Sequence, residues 1–420
     1  MTGGGDRRPN VPRRAEVVVV GAGPAGLGAA AEIARRGMEP LVLEREAIGV
    51  SWRKRYDHLR LNTVRWMSGL PSMRIPRGAG RWPARDDYVA YLERYAERFV
   101  PRICLGVEVT GVEREGDGWC LRTSAGEVRC EFVVIATGLD GRPFIPSWPG
   151  RDGFAGELIH SSRYRDPHAF AGKRVLVVGI GNSGIEIAVA CLRNGAARVQ
   201  VSKRSAINIF KREIAGIPTT PFLWAFERVP TAITDTLGFG IQRLLWGDLE
   251  RFGLERAPRG LATQLRTVGM APVADSGFVA AVKSREIELL PAVEAFDGRY
   301  VALAGGRRIE ADVVIAATGF RRGLEPLVGH LGVLGENGWP LVADGSSDPS
   351  VPGLFFNGFY LPLSGAMSGL RRSSRAIGRS IARQRGQAEP ATGPARVRAG
   401  ALSRRAAFEP DRRTTPTARR

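Results

Sequence analysis

Two stretches of the chain share one pattern of apolar run, glycine turn and helix. In the first, Val17–Val20 is a β-branched run, the pattern of a strand buried on both faces. Gly21 ends it. An Ala-rich helix is predicted from about Pro24 to Arg36, Gly37 breaks it, and PLVLE, ending at Glu44, reads as a second buried strand. In the second stretch an apolar run opens at Val175, glycines follow at Gly179, Gly181 and Gly184, and a helix is predicted from about Ser183 to Asn194. ARVQVSKR then supplies the next strand. Each half also closes alike, on FVVIATG (Phe132–Gly138) and VVIAATG (Val313–Gly319). The opening glycines are 158 residues apart, which marks a duplicated architecture and not a short-period array. Between these landmarks, Asp86–Phe99 has the spacing of an amphipathic helix with an acidic first turn. The segment from Val107 to Val134, broken by REGDGW and TSAGE, reads as strands and hairpins.

Pro143, Pro146 and Pro149 mark a linker between the halves. The pattern predicts an α/β fold with two Rossmann-like dinucleotide-binding domains, the second inserted in the first. The expected boundaries are 15–148 with 322–384 for one domain and 149–321 for the other. Residues 206–272 form an apolar, aromatic insertion, expected to be helical and to serve as core and cavity wall; an oligomer contact or a membrane-facing surface are the alternative readings.

Composition changes this picture at the chain ends. The formal net charge is +19, from 61 basic and 42 acidic residues. Residues 1–14 carry +3 and residues 371–420 carry +11, which leaves +5 for the rest. A basic excess suits nucleic acid or an anionic membrane. Arg-rich, Pro/Ala/Gly-rich ends with few aromatics are instead the composition of solvated tails. Residues 1–14 and 385–420 are therefore expected to be disordered, and no dedicated nucleic-acid or membrane partner is expected. The longest apolar stretch, Val17–Ala31, is too short and glycine-rich to span a bilayer. Cys104, Cys120, Cys130 and Cys191 form no C-x-x-C pair, so neither a redox dithiol nor a thiolate metal box follows. A reduced, cytoplasmic setting fits.

The chemistry lies at the two glycine turns. A G-x-G-x-x-G gains meaning when a strand precedes it, a helix follows and an acid stands about 20 residues on. The first turn meets all three: Gly21, Gly23 and Gly26, with Glu44 23 residues after Gly21. A carboxylate there accepts from a ribose diol and repels a 2′-phosphate, which suits FAD or NAD. The residue 23 positions after Gly179 is Ser202, followed by Lys203 and Arg204. A hydroxyl and two cations suit a 2′-phosphate; cations merely ending a strand in solvent would look the same. The expectation is FAD in the first half and NADPH in the second. A flavin reduced by NADPH must pass its electrons on. With dithiol, iron–sulfur and haem ligands missing from the sequence, molecular oxygen is the remaining acceptor.

FAGELIHSSRY then adds Phe154, Gly156, His160 and Tyr164 in the spacing F-x-G-x-x-x-H-x-x-x-Y, between the two turns. Together with GIGNSGIEIA, ATG at Ala136–Gly138 and ATGF at Ala317–Phe320, this resembles the class B flavin-containing monooxygenases over roughly residues 15–380. Within them the chain is most similar to the YUCCA-type indole-3-pyruvate monooxygenases, through YDHLRLNTVRWMSGLPSMRIP, WPARDDYVAYLERYA and VSKRSAINIFKREIAG. It departs from that group at Asn62, where the group tends to have His, and over Pro221–Trp246.

The resemblance implies an FAD-dependent, NADPH-using monooxygenase that forms a flavin 4a-(hydro)peroxide and oxygenates a small organic substrate with molecular oxygen. A 2-oxo acid such as indole-3-pyruvate is the first substrate; N-, S- or Baeyer–Villiger oxygenation, or an NADPH oxidase or reductase, are the alternatives. Expected cofactor contacts in the first half are Gly21, Gly23, Pro24, Ala25, Gly26, Glu44, Arg45, Ser51, Trp52, Arg53, Leu61, Asn62, Thr137 and Gly138. Those in the second half are Gly179, Gly181, Asn182, Ser183, Gly184, Ser202, Lys203, Arg204, Thr318 and Gly319. Asn62 is the expected catalytic side chain, its amide bonding either the flavin adduct or the nicotinamide carboxamide. A turn-forming Asn is the plainer reading of the same residue. His160 is expected to tie the linker to its domain and Tyr164 to pack. His58, His168 and His330 stand apart, so no metal site follows.

Overall fold

The computed structural model describes residues 10–268 and 272–386. In chain order, the elements that build the site begin with β1 (Val17–Val20), α1 (Pro24–Ala34), β2 (Pro40–Glu44), α2 (Arg85–Phe99), β3 (Arg102–Leu105) and β4 (Phe132–Ile135). Next come β5 (Glu157–His160), β6 (Arg174–Val178), α3 (Asn182–Arg193) and β7 (Arg198–Ser202). Three helices follow: α4 (Thr220–Phe226), α5 (Thr231–Trp246) and α6 (Leu261–Val268). The last elements are β8 (Ile287–Leu290), β9 (Val313–Ala316), β10 (Leu354–Phe356) and α7 (Ala366–Gln384).

Two parallel five-stranded sheets result, in the orders β10-β4-β1-β2-β3 and β8-β7-β6-β9-β5. The valines of β1 are buried on both faces, as a central parallel strand requires. The chain leaves the first sheet after β4, builds the whole second sheet, and returns to the first only at β10. Its two crossings run side by side: Arg142–Pro143 pairs antiparallel with Phe320–Arg321.

Each sheet buries its faces differently. On the first, α1 is sandwiched between strands and α7, and its alanines keep that packing close. Leu27 and Ile33 are fully buried there, each worth about 1.5–3 kcal/mol. Asn357, also fully buried, donates to the Ala25 carbonyl (2.7 Å) and to Ser374 Oγ (2.8 Å), which fixes the start of α1 against α7. The opposite face is covered by the antiparallel strands between Val109 and Cys130. No helix among the described residues is long and apolar enough to cross a membrane.

Two expectations need correction. Residues 10–14 belong to the fold: the Arg129 N–H donates to the Arg13 carbonyl (2.9 Å), and Arg14 bridges to Arg129. Residues 1–9 and 387–420, expected to be disordered, lie outside the described residues. The insertion at 206–272 is only partly helical, since Ile209–Pro218 forms short strands before α4 begins. Its helices are core only in part. Trp246, at the end of α5, joins Leu249 and Leu254 in the core of the second half, and Leu223 and Phe226 meet Ala262, Leu265 and Leu363 in a smaller cluster. Phe222, Trp224, Ile233, Leu237, Ile241 and Leu244 are exposed, Leu244 to 85%. Asp235 turns inward to accept from the Ala262 N–H (2.7 Å) at the start of α6. An apolar run at helical spacing becomes core only when another layer covers it, and among the described residues none covers this one.

Candidate active site

The two glycine turns have the same geometry. Gly21 has φ +108, and a Cβ there would lie 2.7 Å from the Ala136 carbonyl oxygen just past β4. A Cβ on Gly26 would lie 1.8 Å from the Gly21 carbonyl oxygen. At the second turn Gly179 has φ +114 and faces the Ala317 carbonyl oxygen at 2.5 Å, and Gly184 faces the Gly179 carbonyl oxygen at 2.0 Å. These four glycines are required by the protein itself. Gly23 and Gly181 are not: a Cβ on either meets nothing within 4 Å. Both are N-caps without a side-chain cap, so the first amides of α1 and α3 are left for a ligand above the turn. Pro24, at the first helical position, gives up no hydrogen bond there. The cradle fits a pyrophosphate in each half.

At the first ribose end, Glu44 is buried. Its Oε2 accepts from the Ala22 N–H (2.8 Å) and its Oε1 from the Glu46 N–H (3.0 Å). The carboxylate therefore sits across the turn, and each oxygen keeps a lone pair for a diol. Around it, Trp52 is half-buried with its ring edge-on to Tyr88 (4.8 Å). Arg53 is drawn to Glu93 and the exposed Arg45 lies by Glu46 (3.6 Å), so neither extends along the turn. Ser51 and Thr137 are exposed, and Gly138 (φ +82) follows β4. Leu61 is buried in the first core.

The second ribose end departs from expectation. Ser202 is 1% exposed and its hydroxyl donates to the Pro291 carbonyl (2.7 Å). Lying at the end of the buried strand β7, it turns into the sheet instead of toward a phosphate. Lys203 pairs with Glu255. Arg204 is exposed and has no hydrogen-bond or ion-pair partner among the described residues. Lys203 and Glu255 line a cavity with Ile180, Ala206, Gln242 and Leu254, just past the second turn. Asn182 is likewise committed to the protein: its Nδ2 donates to the Pro272 carbonyl (3.2 Å) and its Oδ1 accepts from the Ala274 N–H (3.0 Å). Ser183 beside it is half-buried. Thr318 donates to the Phe144 carbonyl, and the Gly319 carbonyl accepts from His160 Nε2 (3.0 Å). His160 Nδ1 accepts from the Ser162 N–H (3.0 Å), which fixes the proton on Nε2. Burial holds the imidazole pKa below its usual value. His160 is thus a neutral tie from the end of β5 to the second crossing.

The halves meet at Asn62. Its Nδ2 donates to Glu186 Oε1 (3.3 Å) and approaches Asn182 Oδ1 (3.5 Å), both on α3. Its Oδ1 is buried and has no hydrogen-bond partner among the described residues. An unpartnered buried acceptor costs about 1–3 kcal/mol, and it fits a donor supplied by a cofactor between the turns.

Three residues around Asn62 escaped the sequence reading. Tyr56 donates to Glu186 Oε2. Burial raises the Glu186 carboxyl pKa, against the hydrogen bonds from Tyr56 and Asn62 and the charge of Arg212. Arg212 stacks on Trp82 (4.6 Å) and donates to the Leu61 carbonyl (2.6 Å). The signal available was Glu186 itself, a lone acid between Ile185 and Ile187 on a helix otherwise read as apolar. Its partners lie 124 and 130 residues away in sequence.

Two dinucleotide turns of one geometry, with a buried acceptor where the halves meet, define a two-nucleotide flavoprotein. The sequence profile of the family described as Pyridine nucleotide-disulphide oxidoreductase matches residues 18–215. Indole-3-pyruvate monooxygenase YUCCA1 of Oryza sativa subsp. japonica is 35% identical over 75% of this chain and 80% of its own. Probable indole-3-pyruvate monooxygenase YUCCA8 of Arabidopsis thaliana is 31% identical over 86% and 88%. The solved flavin-containing monooxygenase from Stenotrophomonas maltophilia superposes with a TM-score of 0.68 at 24% identity, covering 89% of this chain and 99% of that one. The chain belongs to the class B flavin monooxygenase family, close to its YUCCA branch, and is an FAD-dependent, NADPH-using oxidoreductase.

Proposed function

We propose that residues 15–148 and 322–384 hold FAD, that residues 149–321 hold NADPH, and that the enzyme oxygenates a 2-oxo acid, with indole-3-pyruvate the first candidate. The division rests on the two ribose ends. A buried carboxylate, Glu44, faces the first turn, and a cation without a partner among the described residues, Arg204, stands past the second. The substrate class rests on the 35% identity to an enzyme named for indole-3-pyruvate.

The flavin, when bound, supplies hydride acceptance from NADPH and activation of molecular oxygen. The protein's part is orientation. The amides opening α1 and α3 hold the two pyrophosphates. Arg204 takes the 2′-phosphate. Asn62 Oδ1, the one observation that carries the reading of the junction, accepts from the carboxamide N–H of the nicotinamide. An acceptor at that point suits the carboxamide NH2, which donates, and not the carboxamide oxygen, which accepts.

The test is the FAD-loaded enzyme with NADPH, oxygen and a panel of 2-oxo acids, amines and sulfides. The expected result is carbon dioxide released in proportion to NADPH consumed with an aromatic 2-oxo acid. Hydrogen peroxide as the sole product with every 2-oxo acid, alongside coupled turnover of an amine or sulfide, would reject the substrate class.

A further inference from the structure

The proposed cofactor contacts leave one ionisable group at the junction unused. Glu186 lies on α3, one turn beyond Asn182, and takes donors from the other half at both carboxylate ends. Tyr56 bonds one oxygen and Asn62 Nδ2 the other, at 3.3 Å. Oε1 is an acceptor for Asn62 whether Glu186 is ionised or carries a proton on Oε2, where the Tyr56 hydroxyl can accept it. The charged groups facing it are Arg212, from the strands after β7, and Arg55, from the loop that carries Tyr56. His58 packs on the Tyr56 ring (4.7 Å), with its own pKa lowered by burial.

We infer that Glu186 is a positioning residue for the reaction: by taking the Asn62 N–H it turns Asn62 Oδ1, not Nδ2, toward the cofactors. This rests on the assignment of Asn62 to the nicotinamide carboxamide. The amide of Asn62 has two orientations of equal shape and opposite polarity. The acceptor at Glu186 Oε1 selects the one that presents Asn62 Oδ1 to the cofactors.

The measurement is the dissociation constant of NADP⁺ for the oxidised, FAD-loaded protein by titration calorimetry. It compares the wild type, Asn62→Ala, Glu186→Ala and the double variant. Each single change should weaken binding about five- to tenfold, the worth of one hydrogen bond. The double variant should be no weaker than either single, because both remove one interaction. Glu186→Asp, one methylene too short to reach Asn62, should lose the same amount and serves if the Ala variant does not retain FAD. Glu186→Gln keeps an acceptor for Asn62 and a donor for the Tyr56 hydroxyl, and should restore near wild-type binding. Wild-type binding by Glu186→Ala and Glu186→Asp, no rescue by Glu186→Gln, or additive losses in the double variant, would overturn the inference while leaving Asn62 at the cofactor. Wild-type binding by Asn62→Ala would instead remove the assignment of Asn62 on which the inference rests.

Discussion

Alanine placed at neighbouring glycines of one turn should have opposite consequences. At Gly184 a Cβ would lie 2.0 Å from the Gly179 carbonyl oxygen, where real Cβ atoms keep at least 3.0 Å. The backbone of strand or helix must then move by about 1 Å. Both atoms belong to the same tight turn, and Gly179 is itself pressed on the Ala317 carbonyl oxygen. Overpacking of this kind costs about 1–3 kcal/mol, and backbone displacement favours the upper part of that range. For a domain of this size the melting temperature should fall by about 4–10 °C. At Gly181 the backbone is extended (φ −72, ψ 178) and a Cβ meets nothing within 4 Å. Gly181→Ala should therefore melt within about 2 °C of the wild type, an N-cap effect below about 1 kcal/mol. It should nonetheless weaken NADP⁺ at least tenfold, since its methyl group occupies the approach of the pyrophosphate and one charge-assisted hydrogen bond is worth about 1.5–3 kcal/mol. Differential scanning fluorimetry and titration calorimetry on the two FAD-loaded variants separate the effects. Wild-type NADP⁺ affinity in Gly181→Ala, or equal destabilisation of both variants, would refute the reasoning.

Other consequences follow from the same geometry. Arg204→Ala should raise the KM for NADPH about ten- to a hundredfold and leave NADH almost unchanged, whereas Lys203→Ala should matter less because Lys203 is already paired with Glu255. Equal effects of Arg204→Ala on the two nucleotides would remove it from the 2′-phosphate. Glu44→Ala should reduce flavin content, read from absorbance after purification, and lower stability by about 1–3 kcal/mol through the orphaned Ala22 N–H; full flavin content would show that the first turn holds another ligand. Arg174 holds the Asp312 carboxyl at about 2, below its usual 3.8. Stability from this pair is complete above the unfolded value and drains away as pH falls from about 4 toward 2. Asp312→Asn should flatten acid unfolding followed by circular dichroism across that window, modestly, since both side chains are more than a third exposed.

The sequence by itself determined the elements that depend on local pattern. Val17–Val20 and Pro40–Glu44 fall where the apolar runs placed them. The helix predicted from about Ser183 to Asn194 spans Asn182–Arg193. Buried parallel strands, glycine turns and short helices carry their signal within about 30 residues, because strand burial and turn sterics act locally. The duplicated turn was legible for the same reason. Tertiary structure decided everything that depends on what lies opposite. Ser202 stands at the expected offset, yet the pleat turns its hydroxyl to Pro291. Asn182 sits inside the glycine motif but is spent on Pro272 and Ala274. The run from Phe222 to Leu244 has the spacing of core and lies exposed, because no layer among the described residues covers it. Asn62 gains its unpaired acceptor only where a loop of the first half meets Glu186 and Asn182 of the second. A chain carries its strands and turns in its neighbours, but the partners of a polar atom come from residues more than a hundred positions away, and only folding sets those distances.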